Sequence, residues 1–578
     1  MSNQTSKPPI FTGEKFERIT ALSMAIVGII IAVIALLQTD VGSGSARAKA
    51  QSQQYAIQVM NVRASGQIET GFAWADAYRH WVEWDNQANF AGDAAKAERY
   101  RVVRDRALQL SPLLASPYFD PDIDPFPNIV AFEANAYVIE ATALTERYIN
   151  AIMLADELGD KEDAYSAQVL LLAVTLFLYG LSMTVIGRVK WFFVGIGTML
   201  SLTALVWMVI VYIQPITVFP DRSINTYAEG VGLAYQGDYK GAVTLFDRAL
   251  VEFPNYANVH YARAKAHYNM GNYDQAVNDY NAAINAGLDD VNVSWNLGWA
   301  YYILGQFDES IDATQSAIEQ DPAQVALTFN VGLAHLAQGD MEMAEKFYQD
   351  GIELAVGQVL EAGANGEEAP ASLWWYLDVA ASDLDSLLIC LSIQTCDNAP
   401  PYDSLTTSDA VQNAVRQHRR QMKNATVSLE YLGKIALEPS PAIIGELEFA
   451  KAVYDEEGKV EFESLQSSGK ARFGMAQEEQ GEQIDTSLVS SDSAQEIHII
   501  FSYEQMEDGQ HLVIKIYNND TNEESFNLRV ANIWTVGPEG KVSLPLTPSK
   551  RTTVASGEYR VELYVDGYLT QEGGFLIE

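Results

Sequence analysis

Basic residues, cysteine and histidine are all scarce in this chain, and each shortage removes a class of function. Only 37 Lys and Arg residues stand against 76 Asp and Glu over 578 residues, a formal net charge of −39. Nucleic-acid binding draws most of its affinity from neutralising phosphates with cationic side chains, so nucleic acid is excluded as a partner. The same deficit argues against a basic patch docked on anionic lipid, and it fits solubility in a bacterial or archaeal envelope. Thiols occur only at Cys390 and Cys396. No second ligand pair stands beside them to complete a zinc site; a small disulfide loop and two partly buried free thiols are both open. The histidines, His80, His260, His267, His335, His418, His498 and His511, are scattered. His260 and His267 share a helix but have no evident third ligand. No G-x-x-x-x-G-K-[ST] phosphate loop, G-x-S-x-G elbow or H-E-x-x-H helix occurs. The expectation is a non-enzymatic protein with no metal and no cofactor.

What the chain has instead is charge-free apolar runs. Every side chain between Arg18 and Asp40 is uncharged; a second run covers Gln168 to Gly187 and a third Trp191 to Gln214, with only Arg188, Val189 and Lys190 between them. About 20 such residues cross a bilayer as a helix, and a buried soluble helix rarely stays apolar on every face. Transmembrane helices are therefore expected at 19–38, 168–187 and 191–214. Lys7, Lys15 and Arg18 precede the first run, and Arg188 and Lys190 sit in the hairpin. Positive flanks face the cytoplasm, which puts residues 1–18 inside and residues 40–167 and everything past about 215 outside. Ala46-Arg47-Ala48 resembles a signal-peptide cleavage site, but the apolar run is too long for one and ends well before it, so an uncleaved anchor is expected.

Residues 40–167 read as an outer helical bundle, with helices over 47–110 and 128–166 around a Pro-rich break at 111–127. Trp74, Tyr78 and Trp81 recur on one helical face, as a core stripe does more often than a ligand cage. Asp120-Pro-Asp122-Ile-Asp124 alternates carboxylates but lacks the glycine and later Glu of a calcium loop. A bundle bracketed by two spans resembles, in architecture alone, the outer sensing module of bacterial transmembrane receptors. Only three residues follow the second span before the third begins, so no output domain is left inside. A stalk, a partner surface or an oligomerisation element is the expectation.

Residues 222–355 repeat themselves. Gly237-Asp238-Tyr239, Gly271-Asn272-Tyr273, Gly305-Gln306-Phe307 and Gly339-Asp340-Met341 are spaced 34 residues apart. Each is followed at fixed offsets by Ala242, Ala276, Ser310 or Ala344, then by Phe246, Tyr280, Thr314 or Tyr348, then by Ala249, Ala283, Ala317 or Gly351. Gly230, Ala264, Gly298 and Gly332 precede them, and Pro254 and Pro322 close two units. The pattern resembles the tetratricopeptide repeat, in which small residues let paired helices approach and the aromatic fills the space between them. Thr314 and the missing proline after Ala283 depart from it. The resemblance implies four stacked helix pairs and a protein or peptide partner held in the groove of the first helices. Carried over position by position, the groove residues are Tyr227, Tyr261, Lys265, Tyr268, Trp295, Trp299, Tyr302 and Phe329. The basic carboxylate clamp of chaperone-binding members is not reproduced, since Tyr227, Val231, Ala262, Asn292 and Asn296 occupy its places. Two more helices, over 371–396 and 407–437, are expected to cap the array within an irregular segment 356–438. Arg416, His418, Arg419, Arg420 and Lys423 form a basic cluster there, suited to a solvated face or to docking an acidic domain.

From 440 to 578 the hydropathy period becomes two. His498–Tyr503, Leu512–Tyr517, Glu558–Tyr564 and Phe575–Ile577 read as strands, with Asp508-Gly509 and Asp566-Gly567 as turns. The Ser556–Gly567 ending, followed by Gly574-Phe-Leu-Ile577, resembles immunoglobulin-like modules appended to bacterial surface proteins and implies a β-sandwich. Residues 466–493 read as a linker. The expected fold class is thus multidomain and mainly α: three transmembrane helices, an outer bundle, a tetratricopeptide solenoid and a C-terminal sandwich. The expected function is a membrane-anchored extracytoplasmic scaffold. A sensor or accessory subunit of a membrane complex is the alternative, and a hydrolase the more remote one.

Overall fold

The computed structural model describes residues 13–121, 123–433, 440–454, 460–464, 497–518, 523–526, 532–546 and 557–577. They divide into two compact units, Met1–Asn272 with Asn285–Gly287, and Tyr273–Ile284 with Leu288–Glu578. Lys7, Asp122 and the linker expected at 466–493 lie outside the described residues.

The first unit opens with α1 (Gly13–Phe72), a single helix of 60 residues. A π turn (Ala73–Tyr78) leads into α2 (Arg79–Asn89), and α3 (Ala94–Ala107) folds back beside it. The continuous helix expected over 47–110 is therefore a hairpin. Its break falls where Asp93 caps α3, its carboxylate accepting from the Ala95 amide at 3.1 Å. After α4 (Ile129–Glu133) and a second π turn (Ala134–Val138), α5 (Ile139–Thr184) and α6 (Val189–Ile213) follow. Trp81 and Phe119 pack edge to face at 5.0 Å in the apolar cluster that also holds Tyr78.

Three helices are long and apolar enough to cross a membrane, by length and composition. The first two apolar runs are stretches of α1 and α5, which continue far beyond a bilayer's thickness. Val27 and Ile34 of α1, Leu172 of α5 and Ala204 and Val211 of α6 are buried in one cluster. The buried face of α5 carries Lys161, Tyr165, Gln168, Leu172, Thr175, Tyr179 and Ser182, alternately four and three residues apart. Leu22, Ile26, Ile29, Val33 and Leu36 of α1, Leu170, Val174 and Phe177 of α5, and Phe192, Met199, Leu202 and Val206 of α6 all point outward.

The beginning of α5 closes the first repeat, formed by α7 (Asp221–Tyr235) and α8 (Tyr239–Glu252) and followed by α9 (Ala257–Asn269). Ala143 joins Ile224, Ala228, Phe246 and Tyr256 in one core. Ile139 sits against Gly232, where any side chain would collide with it. Glu146 is buried and accepts hydrogen bonds from the Tyr256 hydroxyl and the Asn258 amide, both at 2.8 Å. Burial raises the pKa of this carboxyl against the lowering effect of those two donors. Asn150 exchanges two hydrogen bonds with the backbone of Phe219, at 2.7 and 3.2 Å. A solenoid end must be covered, and here the cover is the same helix that carries the second apolar run.

The second unit continues the pairs with α10 (Tyr273–Asn285), α11 (Val291–Ile303), α12 (Phe307–Gln320), α13 (Val325–Gln338) and α14 (Met341–Asn365), then α15 (Ala371–Ile393) and α16 (Asp409–Val427). Gly305 and Gly339 turn within their pairs at φ of 75° and 95°, a conformation open to glycine at little cost. Thr314 fills its atypical place by donating to the Ser310 carbonyl at 2.7 Å, with Gly298 tight against it.

The C-terminal strands are β1 (Ile443–Ile444), β2 (Glu448–Tyr454), β3 (Val460–Ser464), β4 (Ile497–Glu504), β5 (His511–Asn518), β6 (Glu523–Phe526), β7 (Asn532–Ile533), β8 (Gly540–Leu546), β9 (Gly557–Val565) and β10 (Tyr568–Ile577). They correct the expected immunoglobulin-like β-sandwich. Both sheets are open: one runs β1-β4-β2-β3 with β8 also on β4, the other β10-β9-β5-β6 with β7 also on β5. Local alternation and the Asp566-Gly567 turn fix the β9–β10 hairpin, but strand order is a long-range property that neither encodes. The basic cluster of α16 meets its acidic domain within the chain. Arg419 pairs with Asp385 and, at 2.8 Å, with Glu572; Lys423 pairs with Glu562, and Arg560 approaches Glu562 at 3.4 Å. Burial alone would raise Glu562, but Lys423 and Arg560 outweigh it and hold the carboxyl at about 2.

Candidate partner-binding face of the repeats

The groove positions fall into three environments. Tyr227 is wedged in the core of the first unit, its ring 5.9 Å from Phe246 and 5.6 Å from Tyr256, and burial raises its pKa. Tyr261 and Tyr268 are half-buried on α9, and the exposed Lys265 holds its ammonium 5.6 Å from the Tyr261 ring. In the second unit Trp295 and Trp299 are half-buried, whereas Tyr302 and Phe329 are 2% and 1% exposed. Phe329 stacks on Tyr348 at 5.8 Å, so it serves the interior of its own repeat.

The burial of Tyr302 has a cause that sequence reading missed. The helix α15, expected as part of a terminal cap, packs on α13, the first helix of the fourth repeat. Leu373, Leu377, Leu384 and Leu388 join Tyr302, Phe329 and Leu333 in one core, with Trp299 and Trp295's neighbour Tyr376 packed on its margin. The Tyr376 ring stands 6.0 Å from Trp295, and its hydroxyl accepts from Gln324 at 2.9 Å. Seven residues further along both helices, the charge of Asp383 acts on Tyr302 and on Tyr348. Beyond α15, Cys390 and Cys396 form a disulfide, and Thr406 ties the following loop to α13 through Ala337 and Gln338, at 3.0 and 2.7 Å. The leucine spacing at 373, 377, 384, 388 and 391 was the available signal for α15. It marks an apolar face without naming what that face covers.

Sequence models of the tetratricopeptide repeat match residues 261–325 and 304–358, and a further TPR repeat model matches 233–271. The repeats are tetratricopeptide repeats. Solved structures with some likeness include MamA from its residue 41 onward, of Desulfovibrio magneticus RS-1, at 25% identity over 27% of this chain and 85% of that one, TM-score 0.23. MamA AMB-1 aligns at 23% identity over 23% of this chain and 78% of that one, TM-score 0.22. YrrB, described as a TPR protein with an unusual peptide-binding site, aligns at 16% identity over 30% of this chain and 91% of that one, TM-score 0.23. No curated protein matches the chain. The matches cover the repeat array alone, and arrays of this kind serve general protein binding. Among the described residues no group of three His, Cys, Asp or Glu side chains is arranged to hold a metal ion.

Proposed function

We propose that the chain is a membrane-anchored scaffold that presents its tetratricopeptide array outside the cytoplasmic membrane and holds a protein partner on the A-helix face. The observation that carries this reading is the repeat array itself, with Trp295 and Trp299 of the second unit still partly open to solvent, as Lys265 is in the first. The outward apolar side chains of α1, α5 and α6 support an anchor, because lipid rather than water is the solvent in which such leucines and isoleucines are stable. Phe16 packs on Trp191 at 4.9 Å and Lys190 lies 4.0 Å above the Phe16 ring. That gathers Lys15, Arg18, Arg188 and Lys190 with aromatic residues at one end of the bundle, the pattern of a cytoplasmic interface. The Cys390–Cys396 disulfide supports placement of the array in an oxidising compartment.

A second reading, a sensor or accessory subunit of a membrane complex, draws support from α5, which runs unbroken from the base of the first repeat into the apolar bundle. The test begins with protease treatment of intact cells carrying a C-terminal tag. Loss of the tag, with a cytoplasmic control intact, is expected; protection until lysis would overturn the orientation. Cross-linking and capture with Lys265→Ala plus Trp299→Ala should then reduce recovery of the partner at least tenfold. Unchanged recovery would move the binding surface off this face.

A further inference from the structure

The helix α1 is covered along one side only. On that side Gly42 and Gly44 press on Glu162 and Leu158 of α5, and Gly66 presses on Tyr137. On the other, Gly28 and Gly71 have nothing within 4 Å of the place where a side chain would begin. Steps of three and four residues from Ala21 to Gly71 trace one line down this open side, because a helix turns once in about 3.6 residues. Every position on the line is exposed and uncharged. Its composition changes along its length. In the apolar run it carries Ala21, Ala25, Gly28, Ala32 and Ala35, while the large Leu22, Ile26, Ile29 and Val33 occupy the adjoining side. Beyond that run it carries Ile57, Met60 and Ile68, with Phe72 at its edge, and these are 55%, 63%, 73% and 51% exposed. The same geometry sets Arg47, Lys49, Arg63 and Glu69 to either side of it, and Arg47 folds back to donate to the Ser43 carbonyl at 3.2 Å.

We propose that this face of α1 pairs two copies of the chain, side by side in one membrane, about a two-fold axis along the membrane normal.

The change in composition says what covers the face. Lipid is met by large aliphatic side chains, as on the adjoining side, and water by polar and charged ones. A neighbouring helix asks for something else in each solvent. In hydrocarbon it packs best on small residues that let backbones approach. In water it is held by burying groups such as Ile57, Met60 and Ile68. The line supplies the first within the apolar run and the second beyond it. The partner is therefore a helix that crosses the same levels. The α1 of a second copy does so by construction: identical spans fix its direction and depth, and a two-fold axis sets small residues against small and apolar against apolar. With a net charge of −39, most faces of this chain would meet themselves acid against acid, whereas this one carries no charge to repel its copy. The area suffices. A strip about 75 Å long and about 10 Å wide hides about 750 Å² on each copy, or about 1,500 Å² in the pair, which is the size of a stable interface. The inference rests on α1 being the anchor of the scaffold, and it adds that the arrays are presented in pairs. A partner with two binding segments then gains avidity without any new contact.

The experiment uses the full chain in membranes, with Cys390 and Cys396 left paired. Gly28→Cys and Ala64→Cys lie on the line, and Glu69→Cys is exposed on the same helix but off it. Mild oxidation should give a disulfide-linked species of twice the chain's mass from the first two, and at least tenfold less of it from Glu69→Cys. As a second readout, Ile57→Glu with Ile68→Glu should raise the dissociation constant of the pair at least tenfold and Gly28→Leu several-fold. Both are measured by sedimentation in mild detergent, with the helical circular dichroism unchanged. A wild type that is monomeric both in mild detergent and in lipid nanodiscs would overturn the pair. Equal cross-linking at Ala64→Cys and Glu69→Cys would overturn the face. A cross-linked product of any mass other than twice the chain's would overturn the second copy as occupant and give the face to a different membrane protein. If the chain resists alkaline extraction yet stays monomeric, the pair fails and the anchor stands. If alkaline extraction strips it from the membrane while Ala64→Cys still cross-links, the anchor reading fails and the α1 contact stands.

Discussion

Two helical bundles in this chain are built from the same element with different outward faces. Around α11 to α16 the buried faces are leucine, phenylalanine and tyrosine, and Asp385 meets Arg419. In the α1–α5–α6 bundle Val27, Ile34, Leu172 and Val211 are buried beside Lys161, Gln168, Thr175 and Ser182 of α5, while many large aliphatic residues also point outward. The first arrangement is driven by removing apolar surface from water. The second draws on that only in part, because much of its apolar surface stays outside. Gly197 packs against Tyr179, whose hydroxyl lies 3.0 Å from Thr198, a close polar contact of the kind that joins helices in hydrocarbon. Average hydropathy does not separate these cases. The direction in which each side chain points does.

The comparison is broken most severely in the water-facing core. Phe329→Ala removes a ring buried between Tyr348 and Gly351, at an expected cost of about 3–5 kcal/mol, measured as a fall in the urea midpoint of the second unit. A loss under about 1 kcal/mol would mean that the repeat interior repacks freely. The next test exchanges outward residues of the other bundle. Ile29→Asp with Leu36→Asp should cost membrane insertion about 3 kcal/mol per site, read as protein lost from the membrane fraction after alkaline extraction. In water the same exchange would be harmless or helpful, so unchanged extraction would show that this face does not meet lipid.

How much of this was legible depended on how local each signal was. The 34-residue period and its small residues were readable because every repeat carries its own turn and its own close approach, as Gly298 does against Thr314. The three apolar runs were equally plain. Their continuation into α1 and α5 was not, because helix length depends on what covers the distal faces, and only the structure shows Gly42 and Gly44 lying against Glu162 and Leu158 of α5. The immunoglobulin-like reading failed for a related reason: alternation reports a half-buried strand, and strand order depends on pairings more than forty residues apart, such as β5 with β9. At the candidate site the aromatic positions were found from the repeat register. The packing of α15 was not, since that helix lies outside the repeats and nothing in residues 371–393 says that their leucines cover α13.

A smaller effect is expected from pH. Asp383 lies near 7 in the folded chain against an ordinary value of about 3.9. A raised folded value means that its contribution to stability is complete below about pH 4 and is lost as pH rises toward 7. His418, stacked on Tyr348 at 4.6 Å and 3.5 Å from Glu345, is lowered by burial and acts in the opposite sense, costing stability as pH falls below about 6.5. The difference between wild type and Asp383→Asn isolates the first group from the second. That difference should grow from near zero at pH 4 to about 1–2 kcal/mol in favour of the asparagine at pH 8, solvent access to the carboxylate limiting it. A flat difference would mean that Asp383 is ionised at ordinary cost.

The finest test lies inside the apolar bundle, where polar residues on one seam differ in how they are satisfied. Thr175 and Ser182 donate to carbonyls of their own helix, Leu171 at 3.1 Å and Tyr179 at 2.6 Å, so burying them leaves no open hydrogen bond. Gln168 is 0% exposed and neither end of its amide has a partner among the described residues. An unsatisfied buried amide costs free energy, and an apolar group of the same shape removes that cost. Gln168→Leu should therefore stabilise the bundle by about 1 kcal/mol, measured by thermal unfolding in detergent, while Thr175→Val stays within a few tenths of wild type. If Gln168→Leu instead destabilises by several-fold that amount, the amide is satisfied inside the bundle, by a trapped water or a turned side chain, and the seam is a packed polar contact of the three helices rather than an open cost.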